Sequence, residues 1–218
     1  MTVDRELVDR IRGFLAPEEG DRLFEIALEG CAKGPCLEIG GYCGKSTVYI
    51  GSACKTAGSI LFSIDHHCGS EEHQPGELFF DPDLFDMETG KVDTFPAFRR
   101  ALAAASIEDH VAPMVCSSAM AARFWTIPLG LVFIDGGHSD AAAFGDYVAW
   151  AGHVAAGGFL AIHDVFEDPA EGGQAPRRIY RLALGSGLFE CLPMTGTLCV
   201  LRRRAPREGG HSSLFQTL

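Results

Sequence analysis

Four side chains that can exchange protons or bind a metal follow two apolar runs in the second half of the sequence. Asp135 and His138 follow the first run, and His163 and Asp164 follow the second. Carboxylates and imidazoles at neighbouring strand ends could form a metal site or an acid–base site. Simpler interpretations stay open: Asp135 could orient its loop or contact a cofactor, His163 could be a hydrogen-bonded core residue, and His138 could cap the next helix.

A glycine-rich turn, residues 38–47 (EIGGYCGKST), joins an earlier apolar run to a helical stretch. Glycines let a backbone turn sharply and come close to a ligand, although a plain strand-to-helix turn also uses them. The ending GKS imitates a P-loop, but that motif needs a glycine where Ile39 stands. Glu38 would also repel a triphosphate, whereas it is compatible with a cationic, amine-bearing ligand.

Asp65 ends the next apolar run, where Rossmann-type sites carry an acid for the ribose hydroxyls. His66 follows directly and is the favoured additional cofactor contact. The stretch 66–90 mixes histidines, acids and phenylalanines and fits no regular element. A loop of this length predicts a lid that excludes water, although an ordinary surface loop has the same composition.

Short apolar runs alternate with helical stretches, and this order predicts how the polar side chains meet. We expect strands at 35–41, 59–65, 111–117, 129–136 and 158–165, and helices at 45–55, 91–105, 118–126 and 139–151. Such alternation predicts an α/β fold with a doubly wound, Rossmann-like, mostly parallel sheet that binds ligands at the carboxyl ends of its strands. A helix at 175–184 and strands at 188–193 and 197–202 predict an antiparallel C-terminal hairpin.

The chain divides into three predicted parts around a single core. Residues 1–34 hold two helices, expected at 3–15 and 18–32. Residues 35–203 form the sheet domain, and residues 204–218 are expected to be a flexible tail.

Composition narrows the function classes. The formal net charge of -11 disfavours nucleic acid, because binding the phosphate backbone needs clustered Lys and Arg. No apolar run is long enough to span a membrane, and the N-terminus lacks a secretory pattern, so we expect a cytosolic protein. The 8 cysteines include no Cys-x-x-Cys pair and are expected to be small, reduced core residues.

The sequence resembles the class I S-adenosylmethionine-dependent methyltransferases, in particular the small-domain family that includes sugar- and antibiotic-tailoring, metal-dependent O-methyltransferases. The resemblance covers roughly residues 35–202. It rests on the glycine turn, on Asp65, on the segments around Asp135 and His163, and on the hairpin ending. The usual E-x-G-x-G-x-G motif is irregular here, because its middle glycine is displaced.

This resemblance implies a set of site residues. The S-adenosylmethionine site would comprise Glu38, Gly40, Gly44, Ser46, Asp65, His66, Ser117, Ser118 and Asp135. A divalent metal (magnesium, manganese, iron or zinc) would be held by Asp135, His163 and Asp164. The same Asp135 and His163 would act in catalysis, with His138 as general base for an acceptor hydroxyl.

The favoured function is O-methylation of a small-molecule acceptor, a sugar or a secondary metabolite. An NAD-type enzyme on the same fold is the alternative, which the hairpin ending disfavours. A non-catalytic cofactor-binding protein is a third interpretation, which the Asp and His cluster disfavours. A homodimer, formed through the N-terminal helices, is compatible with the resemblance.

Overall fold

The computed structural model describes residues 3–205, so the predicted tail lies outside the described residues from 206 onward. The helices are α1 Arg5–Asp9, α2 Pro17–Gly30, α3 Lys45–Ala57, α4 Phe95–Ala105, α5 Ser118–Ala122, α6 Asp140–Trp150 and α7 Ala175–Gly185. The strands are β1 Cys36–Ile39, β2 Leu61–Ile64, β3 Phe85–Asp86, β4 Lys91–Val92, β5 Val111–Met114, β6 Leu129–Ile134, β7 Val154–Ile162, β8 Phe189–Cys191 and β9 Cys199–Arg203. None of the helices within this range has the length and apolarity that crossing a bilayer requires.

Seven of the strands form one sheet in the order β5-β2-β1-β6-β7-β9-β8. The five from β5 to β7 are parallel, while β9 runs antiparallel to both of its neighbours. The predicted doubly wound sheet with a C-terminal hairpin is therefore confirmed. The sheet order reverses between β1 and β6, and ligands of such sheets bind at that point, beyond the carboxyl ends of the strands.

Helices cover both faces of the sheet. All six residues of β6 are buried, with Leu131 and Phe133 in one apolar layer and Val132 and Ile134 in the other. Side chains of α2, α3 and α4 contribute to the first layer, and those of α6 and α7 contribute to the second. Burial on both sides explains why the strands are apolar at successive positions.

Helix α2 shares its core with the sheet. Leu23 and Ile26 are fully buried in the layer that also contains Phe133. At the end of α2 the backbone passes close to β6, since a Cβ on Gly130 would lie 2.0 Å from the carbonyl oxygen of Gly30. Residues 17–30 thus pack as part of the sheet domain.

Several elements are shorter than the sequence predicts. The first helix ends at Asp9 instead of residue 15, and Gly13 follows with φ +148, outside helical geometry. Helix α4 begins at Phe95 instead of residue 91, because its proline occupies the first turn, where the missing N–H costs nothing. The residues before it form β4, which pairs with β3 inside the stretch predicted to be an irregular loop.

Candidate functional site

A cavity of about 440 Å³ opens at the carboxyl ends of β1, β2, β5 and β6. It lies where the sheet order reverses. Most of the predicted site residues line it together: Gly40, Ser46, Asp65, His66, Ser117, Ser118, Asp135, His138, His163 and Asp164. Glu38 and Gly44 are absent from the lining.

Glu38 lies beneath the cavity, fully buried. Its Oε1 accepts a hydrogen bond from Ser46 (2.5 Å), and its Oε2 accepts from Thr47 and Ser63 (2.7 Å each). Burial raises the pKa of Glu38 to about 7, although the three hydroxyls act in the opposite direction. The carboxylate therefore ties β1 to the start of α3 and to β2, and contact between Glu38 and a cofactor stays a prediction.

The glycine turn brings two strand ends together. Gly40 has φ +93, and a Cβ at this position would lie 2.1 Å from the carbonyl oxygen of Asp135. No other residue type fits both the backbone geometry and the space. Gly44, with φ +96, is the N-cap of α3 and shapes the turn from behind the cavity.

The Asp65 carboxylate holds the glycine turn in place and still has lone pairs that accept no hydrogen bond from the described part of the protein. Its Oδ2 accepts from the backbone N–H of Tyr42 (2.8 Å), and its Oδ1 accepts from that of His67 (2.7 Å). A carboxylate has about four acceptor positions, so two remain for hydroxyl groups of a ligand in the cavity. His66 also lines the cavity, and its Nδ1 accepts from the backbone N–H of Cys68 (3.0 Å).

The residues that follow β5 form another wall of the cavity. Ser117 is the N-cap of α5, and the Ser118 hydroxyl accepts a hydrogen bond from Trp150 Nε1 (2.7 Å). Asp146 also lines the cavity from α6, and burial raises the pKa of its carboxyl. Sequence reasoning missed Asp146, although it stands between Ala143 and Trp150 on the buried face of α6.

His163 is almost fully buried between carboxylates. Its Nδ1 lies 3.1 Å from Asp135 Oδ1 and 3.5 Å from Asp164 Oδ1, while its Nε2 lies 3.0 Å from Glu19 Oε2. Burial alone would lower the pKa of His163, but the three acids raise it strongly. The three surrounding carboxylates favour a protonated ring, and the predicted role of His163 as a metal ligand stays a prediction.

Glu19 is the buried partner of His163, and sequence reasoning missed it. It is only 3% exposed, and its carboxylate also accepts from the backbone N–H groups of Ala16 (3.0 Å) and Thr197 (2.7 Å). Burial acts to raise the pKa of Glu19, but the hydrogen bonds from His163 and Ala16 outweigh it and lower the pKa to about 2. Through this one carboxylate, α2 and the C-terminal hairpin both hold His163.

His138 lies on the other side of Asp164. Its Nε2 is 3.1 Å from Asp164 Oδ2, and its Nδ1 is 3.4 Å from Glu72 Oε2. The hydrogen bond with Asp164 raises the pKa of His138 to about 9. The raised pKa favours the protonated ring in the metal-free protein, and the predicted role of His138 as general base stays a prediction.

Three potential ligand atoms, one each from Asp135, His138 and Asp164, lie within 4.8 Å of one another. Two carboxylates and one imidazole suit magnesium, manganese, iron or zinc. The residues present therefore fit a divalent cation. The cluster shares Asp135 and Asp164 with the predicted metal set, whose third member is His163, and that set stays a prediction.

An aromatic rim lies at the cavity, and Phe14, Tyr42 and His73 of the rim line it. Phe79 completes the rim, with ring centroids 4.9 Å apart for Tyr42 and His73 and 5.1 Å apart for Phe14 and Phe79. The Nε2 of His73 is buried and has no hydrogen-bond partner among residues 3–205. Sequence reasoning missed the rim as a unit, because its members come from three separate segments.

The loop predicted to be a lid lies at this rim. Residues 69–73 line the cavity, and Arg12 pairs with Asp81 (2.8 Å) and Asp83 (2.7 Å) farther along the same loop. These ion pairs attach the loop to the segment that carries Phe14. Movement of the loop stays a prediction.

The chain belongs to the methyltransferase-domain family. The model of that family, described as "Methyltransferase domain", matches residues 37–165, which include the glycine turn, Asp65 and the Asp and His cluster. The predicted fold and the predicted class of enzyme, a methyltransferase, are thereby confirmed.

Solved structures share the fold at low sequence identity. The O-methyltransferase TomG from Streptomyces achromogenes, involved in tomaymycin synthesis and solved with S-adenosylmethionine, is 16% identical (TM-score 0.59; 88% of this chain, 82% of that one). The methyltransferase PaMTH1 from Podospora anserina, bound to S-adenosylhomocysteine, is 15% identical (TM-score 0.62; 88% and 80%). An O-methyltransferase from Bacillus cereus, in complex with S-adenosylhomocysteine, is also 15% identical (TM-score 0.61; 92% of each chain).

Proposed function

We propose that the protein transfers the methyl group of S-adenosylmethionine to a hydroxyl oxygen of a small molecule, with the help of a divalent cation. The observation that carries this proposal is the position of Asp135, His138 and Asp164. They line the same cavity as Gly40 and Asp65, so a hydroxyl bound at the cluster and a ligand held by Asp65 share one space. Three similar folds were solved with the methyl donor or its product, which supports the choice of donor.

The donor fits the chemistry of the cavity. The free lone pairs of Asp65 would accept hydrogen bonds from the ribose hydroxyls. Ser117 and Ser118 lie on the wall of the cavity that follows β5, where adenine would bind. The methionine portion would pass Gly40, where the absence of a side chain leaves room, and its sulfonium charge suits a cavity lined by Asp135 and Asp164.

The acceptor would bind between the cluster and the aromatic rim. The rings of Phe14 and Tyr42 line the cavity and offer apolar surface for a flat or cyclic molecule. This arrangement fits a hydroxylated secondary metabolite or a sugar, and the acidic side chains in the lining, Glu71 and Glu72, do not fit nucleic acid. The homodimer stays a prediction.

In the transfer, the acceptor oxygen forms a bond to the methyl carbon while the carbon–sulfur bond breaks, and S-adenosylhomocysteine leaves. A divalent cation at Asp135, His138 and Asp164 would lower the pKa of the acceptor hydroxyl, whose proton passes to solvent. The chain itself contributes mainly by positioning. Glu19 and His163 would hold the carboxylates of Asp135 and Asp164 in position. The aromatic rim would orient the ring of the acceptor.

Calorimetry with S-adenosylmethionine, S-adenosylhomocysteine and NAD tests the donor. We expect both adenosyl compounds to bind and NAD not to bind. Asp65→Asn should weaken their binding by about tenfold to a hundredfold, because charged hydrogen bonds to the ribose are lost. Asp109→Asn, an exposed acid far from the cavity, is the control and should bind normally. Preferential binding of NAD would overturn the proposal.

Mass spectrometry tests the transfer and the cation. Screening hydroxylated acceptors should reveal a product heavier by one methyl group. After treatment with a chelator the activity should fall, and magnesium or manganese should restore it in the wild type but not in Asp164→Asn. Full activity after stripping would contradict the cation, and donor binding without any methylated product would favour a non-catalytic binding protein.

A further inference from the structure

Three thiols meet at the opposite end of β1 from the cavity. Cys31 follows the last residue of α2, Cys36 is the first residue of β1, and Cys54 lies in the last turn of α3. The Sγ of Cys31 is 3.8 Å from the Sγ of Cys36 and 3.8 Å from that of Cys54. All three sulfur atoms lie within 4.8 Å of one another.

The two separations of 3.8 Å match that of thiolates that share one metal ion. A zinc–sulfur bond is about 2.3 Å long, so two thiolates on a tetrahedral zinc ion lie about 3.8 Å apart. The three side chains come from three elements that the core already holds in place, with Cys36 and Cys54 buried. Little movement is therefore needed to place an ion between them.

The surroundings also suit a cation. The cluster lies at the carboxyl ends of α2 and α3, and helices carry partial negative charge at that end. Cys36 Sγ is 3.9 Å from the carbonyl oxygen of Ala27 in α2. Cys31 is only half-buried and gives an ion access from solvent, from which water can supply a fourth ligand.

We propose that Cys31, Cys36 and Cys54 bind one thiophilic divalent cation of the zinc class, at a site separate from the methyl-transfer cavity. On binding, three S–H bonds are replaced by three sulfur–metal bonds, and the protons pass to solvent. The ion would link α2, β1 and α3, so its binding energy would add to the stability of the fold. This proposal is independent of the methyl-transfer reaction.

In the metal-free state the three thiols share their protons unequally. Hydrogen bonds with Cys31 and Cys54, together with burial, raise the pKa of Cys36 well above its usual range, whereas hydrogen bonds with Cys36 and Cys54 lower the pKa of Cys31. The protons must leave before the metal binds, so affinity should increase as the pH rises.

Cadmium titration of the full, reduced and chelator-treated chain tests the site, because thiolate ligation gives an ultraviolet sulfur-to-cadmium charge-transfer band that carboxylate ligation does not give. We expect the band to saturate at one cadmium ion per chain. Cys31→Ser should lose it, and this half-exposed position costs the fold least. Elemental analysis should likewise find zinc retained by the wild type and absent from Cys31→Ser after dialysis.

Two control variants make the result specific. Cys191→Ser removes an exposed thiol elsewhere and should keep the band. Asp164→Asn disrupts the acidic cluster and should also keep it, so the two metal proposals can fail separately. Absence of the band in the wild type, or an equal band in Cys31→Ser, would overturn the proposal and leave the three thiols as core packing alone.

Discussion

The Glu38 carboxylate lies where no water reaches it, and its polar partners are the three hydroxyls of Ser46, Thr47 and Ser63. A folded-state pKa of about 7 means that the folded protein keeps this proton at pH values where the unfolded chain has lost it. Stability should therefore fall as the pH rises from the ordinary glutamate pKa towards 7.

Glu38→Gln should remove this pH dependence. Between pH 5 and pH 8, the free energy of unfolding of the variant should rise relative to the wild type by about 2–3 kcal/mol, because each pKa unit corresponds to about 1.4 kcal/mol. Urea denaturation at several pH values measures the difference. Glu190→Gln, an exposed residue on β8, should follow the wild type at every pH, and parallel curves for Glu38→Gln would contradict the assignment.

Substitution of Glu19 is a second prediction that concerns a single residue. Glu19→Gln replaces a charged partner of His163 with a neutral one and should cost about 1–3 kcal/mol of unfolding free energy. Methyl transfer should slow, while binding of S-adenosylmethionine should change little, because Glu19 does not line the cavity. The neighbouring Glu18→Gln is the matched control, since Glu18 is exposed in the same first turn of α2. Equal effects of the two variants would show that Glu19 has no special role.

The sequence identified His163 but not its partner. The two residues are 144 positions apart, and no local pattern connects them. One signal was available: Glu19 lies at helical spacing from Leu23, Ile26 and Ala27, so it is an acid on an apolar stripe. A buried acid in that position needs a hydrogen-bonding or positively charged partner inside the protein.

Among the elements, the turn after β1 has the least freedom to vary. Gly40→Ala would require a strained backbone and would place a methyl group against the carbonyl of Asp135. We expect a loss of more than about 2 kcal/mol of stability together with loss of donor binding. Thermal denaturation and calorimetry measure both.

Gly145→Ala is the matched control for this prediction. Gly145 is exposed in α6, and a Cβ added to it would have nothing within 4 Å, so alanine should stabilise the helix by up to about 1 kcal/mol. Normal donor binding by Gly40→Ala would show that the turn can relax away from Asp135.

The sequence predicted the existence of both the strands and the helices of the sheet domain. Continuous apolar runs mark strands covered on both faces, and every predicted strand of the parallel sheet exists. The ends of the helices and strands were predicted less well, because they depend on local details such as the proline in the first turn of α4. The residues that line the cavity follow strand ends, which is why most of them could be named from the sequence.

At the scale of the whole molecule, side chains of α2 share one apolar layer with the sheet domain, and the predicted boundary at residue 35 stays a prediction. Removing residues 1–34 would uncover the layer that holds Tyr49 and Phe133 and would take away Glu19. We expect the remaining chain to lose cooperative thermal unfolding, followed by circular dichroism with the full chain as reference. A truncated chain that still melts cooperatively would restore the sequence-based boundary at residue 35.

Asp164 has φ +55, in the left-handed region where few residues other than glycine, asparagine and aspartate are comfortable. The left-handed backbone conformation therefore limits which residue types can occupy position 164, independently of the reaction. Asparagine keeps that shape and removes only the negative charge. A comparison of all substitutions at this position would thus separate what the fold requires of residue 164 from what the chemistry requires.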